Sequence, residues 1–244
     1  MNIPEEFYIG YVPKAPAGTA VWVRRAAVTS VCIGAAVALV LVFAQAPFPA
    51  AVFEYGQPRT FGAVVYESPF AHAMLDGGRS ALLVAPGKHG AGDLIRGLDG
   101  RRVDFSGMRI QRDGDLMLEM VPGSLRAIPG DAGRQPEWIN AGPVELRGEI
   151  VDSKCYLGVM NPGQGKVHLD CAARCISGGV PPALIARDSV NGTKLLPMTG
   201  PNGTAINKDV LAYVAEPVIV RGSLFRSGKQ YRIEVSPADI RRAE

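Results

Sequence analysis

The chain has 244 residues, of which 47% are hydrophobic and 20% are charged, and its formal net charge is +3. This length suits one or two domains, each able to bury a modest core. Because the charge is nearly balanced and forms no long basic or acidic run, we exclude an electrostatic nucleic-acid binder.

The N-terminal part predicts a membrane anchor. Residues 1–25 contain aromatic residues among Pro and Gly, and we predict a short irregular cytoplasmic segment there. The uncharged apolar run at residues 26–46 is long enough to cross a ~30 Å hydrocarbon core as a helix. Arg24 and Arg25 directly precede it, so the positive-inside rule predicts a single-pass protein of the inner (cytoplasmic) membrane with residues 47–244 in the periplasm.

A cleaved signal peptide is the alternative interpretation of the same run. Ala44-Gln45-Ala46 has the small-x-small pattern of a cleavage site. Pro47 would follow the scissile bond, however, and the apolar run is longer than a usual signal core. We therefore expect the anchor to be retained.

Small residues follow one face of the predicted span. Ser30, Gly34 and Ala38 are spaced four residues apart, a pattern that lets a second helix approach closely. This face predicts an integral-membrane protein as partner, although Ala-rich spans also show such spacing by chance.

The rest of the chain reads as β structure after a Pro-containing linker at residues 47–59. Short apolar or alternating runs, bounded by Gly, Pro, Asn or Asp, predict strands. The predicted strands are residues 61–66, 80–85, 101–110, 115–121, 144–151, 183–186, 194–198, 217–225 and 230–235.

These strands form two similar sets, which indicates an internal repeat. An acidic residue and a serine end the first strand of each set, at Ser68 and at Ser153. Ser68 and Gly107 are 39 positions apart, whereas Ser153 and the corresponding Gly222 are 69 apart. The second copy therefore carries an insertion, most simply directly after Ser153.

A five-stranded unit of this length, with a bending glycine and a short helix between strands three and four, is what an OB-type barrel needs. We predict a mainly β protein in which one transmembrane helix precedes two tandem OB-like barrels. The first, degenerate barrel covers residues 60–128, a linker covers 129–143, and the second barrel, with the insertion, covers 144–240. A small β-sandwich is the alternative architecture.

The insertion concentrates the reactive side chains of the chain. Asp170 is a good N-cap and Gly178 a natural stop, so a helix is predicted between them. Cys171 and Cys175 then lie one turn apart on one face, with Cβ atoms ~5–6 Å apart. His168, in the preceding loop, and Cys155, at the strand end, can reach the same point.

Three kinds of chemistry fit this pattern. Cys155, His168, Cys171 and Cys175 are the predicted ligands of a closed metal site, which suits zinc and also copper(I). Alternatively, a disulfide joins Cys155 to Cys171 or to Cys175, and no cofactor is bound. In the third interpretation Cys171 and Cys175 form a redox or metal-transfer pair.

The segment from Gly148 to Pro182 resembles a group of small exported bacterial OB-fold-like proteins. The resemblance is carried by the strand from Gly148 to Asp152, by Cys155-Tyr156-Leu157 and by the spacing of His168, Cys171 and Cys175. It implies an exported β-barrel with a Cys/His centre and does not supply a reaction. In the first copy Phe70 stands where the second has Cys155, so that copy matches only as a barrel.

No hydrolase-like order of Ser, His and Asp and no phosphate-binding loop occurs in the sequence, so we expect no enzymatic activity. The anchor and the external domains favour an accessory or assembly subunit of a membrane redox complex, such as a respiratory complex. The alternatives are a metallochaperone or small thiol redox protein, and a ligand-binding module that uses an OB face.

Overall fold

A single long helix occupies the apolar N-terminal segment. In the computed structural model, which describes residues 14–45, 51–129 and 137–243, helix α1 spans Ala17–Ala44 directly after Pro16. Residues 17–25, which we predicted to be irregular, are helical because no proline interrupts the chain there. Residues 1–13, and residues 46–50 and 130–136 of the predicted span and linkers, lie outside the described part.

Helix α1 is long and apolar enough to serve as a membrane span or as a signal anchor. None of its side chains is buried against the described residues of the chain. No other helix in the described ranges passes the same test of length and composition.

The remaining described residues form a separate compact unit of β structure with two short helices. Helix α2 spans Gly92–Ile95 and helix α3 spans Leu169–Ser177. The strands are, in chain order, β1 (Ala51–Phe53), β2 (Arg59–Tyr66), β3 (His72–Leu75), β4 (Ser80–Ala85), β5 (His89–Gly90), β6 (Arg102–Arg112), β7 (Asp115–Met120), β8 (Arg126–Ala127), β9 (Ile139–Asp152), β10 (Pro182–Val190), β11 (Thr193–Thr199), β12 (Pro217–Ser227), β13 (Gln230–Glu234) and β14 (Ile240–Arg242).

Two closed five-stranded barrels account for most of these strands. In the first, β2 pairs with β3 and β6, β3 with β4, and β7 closes the ring between β4 and β6. In the second, β9, β10, β11, β13 and β12 pair in the same cyclic order. In each ring the third and fifth strands are parallel and the other pairs antiparallel, so the prediction of two similar barrels is confirmed.

The ends of the barrels differ from the predicted linkers. Strand β1 lies within the predicted linker 47–59 and pairs with the end of β6. Strand β9 begins at Ile139, before the predicted start at residue 144, because its first residues pair with the far end of β12. In both barrels, strand pairing thus extends beyond the residues of the predicted repeat.

The inserted residues of the second barrel follow its first strand. Residues 153–181 connect β9 to β10, whereas only residues 67–71 connect the equivalent β2 and β3. The insertion contains one wide helical turn (Cys155–Val159), a 3-10 turn (Lys166–His168) and helix α3. These are the elements that carry the candidate site.

A third hydrophobic cluster, separate from the two barrel cores, joins the barrels through the inserted segment. Leu82, Val84, Ile110 and Met117 of the first barrel pack there against residues of the second. The inserted residues in this cluster include Cys155, Tyr156, Leu157, Cys175 and Val180. The cysteines thus lie at the junction of the barrels and not on an isolated loop.

The close backbone contact at Gly148 allows the strand register of the second barrel to be tested by mutation. Gly148 lies between Ala186 of β10 and Val218 of β12, and a Cβ there would overlap the carbonyl oxygen of Ile185. We expect Gly148→Ala to lower the free energy of unfolding by about 1–3 kcal/mol, because a backbone contact cannot yield as a side chain would.

Denaturant unfolding of the full chain in detergent measures this effect. Gly92→Ala is the matched control, since nothing lies within 4 Å of a Cβ at that position. Equal stability of the two variants would contradict the strand register described here.

Candidate metal centre

The carboxylate of Asp152 organises the start of the inserted segment. Asp152 is the last residue of β9 and is fully buried. Its Oδ1 accepts a hydrogen bond from the backbone N–H of Cys155 at 2.7 Å, and its Oδ2 lies 2.9 Å from Nε2 of His168. One side chain therefore fixes two of the predicted ligands, one at the start of the inserted segment and one directly before helix α3.

His168 is held in a defined orientation by this contact. It ends the 3-10 turn before α3 and is buried, with only 2% of its surface exposed. In the neutral ring, a hydrogen bond from Nε2–H to Asp152 leaves Nδ1 as the unprotonated nitrogen, which is the atom that binds a metal. A carboxylate behind a histidine is the usual support of a histidine ligand.

Helix α3 presents Cys171 and Cys175 one turn apart, as predicted. Cys175 is buried, whereas Cys171 is partly exposed. The predicted N-cap was wrong: His168 occupies that position, and Asp170 lies inside the first turn, where a negative charge is favourable. The helix ends at Gly178 as predicted, and its N–H bonds to the carbonyls of Arg174 and Cys175.

The four predicted ligands form two overlapping groups and not one. Ligand atoms of Cys155, His168 and Cys171 lie within 4.8 Å of one another, and so do those of Asp152, Cys155 and Cys175. Cys155 belongs to both groups. The Cys/His cluster can therefore hold a metal ion, and a closed site with all four predicted ligands would require the two groups to come closer together.

The sulfur separation fits a shared ion. Sγ of Cys155 lies 3.9 Å from Sγ of Cys171. Two thiolates on one tetrahedral ion with Zn–S bonds of ~2.3 Å are about 3.8 Å apart, whereas a disulfide requires ~2.05 Å. All three cysteines of the cluster are free thiols in the structure. Thiolate and imidazole donors suit zinc and copper(I) alike.

The two buried thiols of the cluster have opposite pKa shifts. The hydrogen bond between Cys155 and Cys175 raises the pKa of Cys155, and burial raises it further. The same hydrogen bond lowers the pKa of Cys175, with a further contribution from Lys88.

Lys88 of the first barrel completes the cluster, so the contacts of the site are not confined to the second barrel. Its Nζ donates to Sγ of Cys171 at 2.7 Å and lies 3.9 Å from Sγ of Cys175. The hydrogen bond to Cys171 raises the pKa of Lys88, so its ammonium stays charged beside the sulfur. No local pattern in the sequence pointed to this lysine.

Glycines allow the loop that carries Lys88 to approach α3. The N–H of Gly90 donates to the carbonyl of Gly178. A Cβ on Gly178 would overlap the carbonyl oxygen of Lys88, and a Cβ on Gly90 would overlap that of Gly179. The two backbones can meet only because neither glycine has a side chain.

Lys154 fixes the same loop from the other side. This residue precedes Cys155 and is almost fully buried, yet its ammonium lies 2.5 Å from Glu119 of the first barrel. It also donates to the carbonyls of Ala85 and Gly87, at 2.8 and 2.6 Å. The lysine next to Cys155 thus ties down the loop that brings Lys88 to Cys171.

Other candidate ligands lie elsewhere. His72 is buried in β3, where its Nδ1 lies 2.8 Å from the carbonyl oxygen of Phe70, and burial lowers its pKa. His89 is exposed in β5. Met198 belongs to the core of the second barrel, whereas Met160 is 44% exposed.

Comparison with known proteins yields no match: no protein-family model, no curated protein and no solved structure matches this chain.

The buried ion pair between Lys154 and Glu119 generates a stability prediction. Lys154→Met leaves the carboxylate of Glu119 buried without its partner, so we expect the free energy of unfolding to fall by about 3–5 kcal/mol. Adding Glu119→Leu removes the stranded charge and should recover part of this loss.

Denaturant unfolding of the full chain in detergent measures both variants. Lys194→Met is the control, because Lys194 is exposed and has no ion pair among the described residues. A double variant that is less stable than the single one would show that the two side chains act independently.

Proposed function

We propose that this chain is a membrane-anchored metal-binding protein and that it acts as an accessory or assembly subunit of a membrane redox complex. The main support for this proposal is the cluster in which the ligand atoms of Cys155, His168 and Cys171 lie close enough to bind one ion. Soft thiolate donors with one imidazole match zinc or copper(I), and the second of these is a redox-active cargo.

Several features support a dedicated metal site over an incidental cluster. The insertion brings its ligands from a strand end, a turn and a helix, and Asp152 orients His168. The ammonium of Lys88 offsets part of the negative charge that three thiolates place in a buried position. Cys171 is the most exposed of the three cysteines, and it is therefore the ligand through which an ion would enter or leave.

The barrels fit the OB-like class that we infer. Each has five strands in the order one, two, three, five, four around the ring, with a short helical element between strands three and four. This Greek-key arrangement is typical of OB barrels. On this proposal the inserted segment adds a metal site to a scaffold whose usual role is binding.

The proposed partner is an integral-membrane protein, because the chain carries a membrane anchor. Ser30, Gly34 and Ala38 follow one face of α1, and a partner helix would pack there. Arg24 and Arg25 favour a cytoplasmic N-terminus, which places both barrels in the periplasm.

A thiol redox protein is the second candidate function, favoured by the contact between Lys88 and Cys171. In this function Cys155 and Cys171 form a disulfide and release two electrons and two protons to the disulfide of a partner protein. That disulfide becomes a dithiol, so the exchange balances. A cation beside Cys171 supports the thiolate that begins such an exchange.

Metal content distinguishes these functions. The full chain, purified in mild detergent with a reductant and exposed to Zn²⁺ or Cu(I), should bind about one equivalent of metal. Cys155→Ser and Cys171→Ser should lose it, whereas Cys32→Ser should retain it, because Cys32 lies in α1. His168→Ala should weaken binding and His89→Ala should not.

Thiol counting on the same samples shows which result would contradict the metal site. If the reduced chain binds no metal, and mild oxidation removes two thiols that include Cys155, the dithiol function replaces the metal site. If Cys155→Ser changes neither metal content nor thiol reactivity, the cysteines are independent and both functions are wrong.

Retention of the anchor is tested separately. Because the span is long and Pro47 blocks cleavage, the mature protein should stay in the membrane after alkaline extraction. A tag fused to the N-terminus should remain on the chain. A soluble product that begins at Pro47 would instead identify a cleaved signal peptide.

A further inference from the structure

A second site, distinct from the cysteine cluster, lies between the two barrels. A cleft of about 730 Å³ opens there, within the ~300–1,000 Å³ typical of small-molecule sites. Tips of hairpins line it from both sides. The first barrel contributes the β3–β4 and β6–β7 turns, and the second contributes the β10–β11 and β12–β13 turns.

The floor and walls of this cleft suit an apolar body. The floor consists of the buried side chains of Leu82, Leu116, Leu157 and Leu195. Aromatic rings that are neither buried nor fully exposed line the walls, at Phe70, Trp138 and Tyr231. Such surfaces bind flat or extended apolar groups and also attract cations to their faces.

Two polar side chains that line the cleft, Ser80 and Asp115, have no side-chain hydrogen-bond partner among the described residues. Asp115, the first residue of β7, is partly buried and has no side-chain hydrogen bond or ion pair with any described residue. Burial, with a smaller contribution from the neighbouring Asp113, raises the pKa of Asp115 to about 6. A carboxylate in this position is stabilised by a ligand that brings hydrogen-bond donors or positive charge.

The cations on the rim do not meet this need. Arg79 donates to the carbonyl of Gly114 at 3.3 Å and forms no ion pair with Asp115. Lys229 is exposed. Both cations are solvated without a ligand, whereas Asp115 is partly shielded from water and unpaired. A positively charged ligand therefore gains more at Asp115 than an anion gains at the rim.

We propose that the cleft binds an organic cation in which an ammonium or guanidinium group is joined to an apolar body. The cation pairs with Asp115, and the apolar body lies against Trp138 and Tyr231. The same chemistry is present in a free amine and in the lysine or arginine side chain of a peptide. This inference does not depend on the metal site, because none of the cysteines lines the cleft.

Fluorescence of Trp138 tests the proposal in the full chain. Trp22→Phe leaves Trp138 as the sole tryptophan, because the chain contains two. Phenethylammonium, titrated at pH 7.5 in mild detergent, should change the emission with saturation. Phenethyl alcohol should bind at least about tenfold more weakly, and phenylacetate more weakly still, because a hydrogen bond to a charged group is lost.

Asp115→Asn is the decisive variant, since it keeps the shape and removes the charge. It should weaken phenethylammonium binding about tenfold or more. Asp188→Asn is the matched control, because Asp188 is exposed in β10 and does not line the cleft. The melting temperatures of both variants report whether the fold is retained. If Asp115→Asn does not fold, Tyr231→Leu supplies the test through loss of the aromatic wall.

The pH dependence gives a second readout. Phenethylammonium needs the ionised form of Asp115, so its affinity should fall as pH decreases from 7.5 to 5, through the pKa of about 6. Asp115→Asn should abolish this fall. The other charged side chains near Asp115 are Asp113, Arg79 and Lys229 on the rim, and Arg112, which lies opposite Asp115 in the β6–β7 hairpin.

A peptide probe distinguishes between a free amine and a peptide side chain as the natural ligand. Acetyl-Phe-Lys-amide should bind more tightly than phenethylammonium if the occupant is a peptide side chain, and less tightly if it is a free amine. No saturable binding by either probe would overturn the proposal. So would equal affinity for the neutral alcohol, a preference for phenylacetate, or an unchanged affinity in Asp115→Asn.

Discussion

A buried carboxylate needs partners, and the two partners of Asp152 come from the start and the middle of the inserted segment. Its oxygens bind the N–H of Cys155 and the ring of His168. Because Asp152 also ends β9, the segment is fixed to the barrel wall at this point. His168 is the N-cap residue of α3, so this shared carboxylate also ties the start of the helix to Cys155.

The second constraint couples this closure to the first barrel. Lys154 enters the barrel junction directly before Cys155 and bonds to Glu119 and to two carbonyls of the loop before Lys88. Burying such an ion pair gives little net stability, but it selects one arrangement of the two barrels, since any other leaves a charge unpaired. The Cys/His cluster and the barrel junction therefore share their contacts, and an ion bound at the cluster would stabilise both.

The sequence predicts much of this architecture because the strand and repeat signals are local. Gly107 and Gly222 occupy equivalent strands, and the unequal distances from Ser68 and Ser153 correctly locate the insertion. Cys171 and Cys175 lie in the predicted helix, which ends before Gly178 as expected for a glycine stop. We did not predict the role of Lys88, because this residue lies in the other barrel and no sequence pattern links it to Cys171. The role of Asp170 was wrong because a 3-10 turn places His168 at the cap position instead.

The two sites occupy the barrel junction for the same physical reason. Strand pairing satisfies the backbone within each closed ring, so the rings themselves offer few free groups for chemistry. The junction differs, because it is formed by side chains and turns from both barrels and by the inserted segment. Cys155 and Leu157 belong to one wide turn, yet the first faces the thiol cluster and the second lines the floor of the cleft. A single insertion at one strand end thus supplies both a proposed metal ligand and part of the wall of the proposed binding cleft.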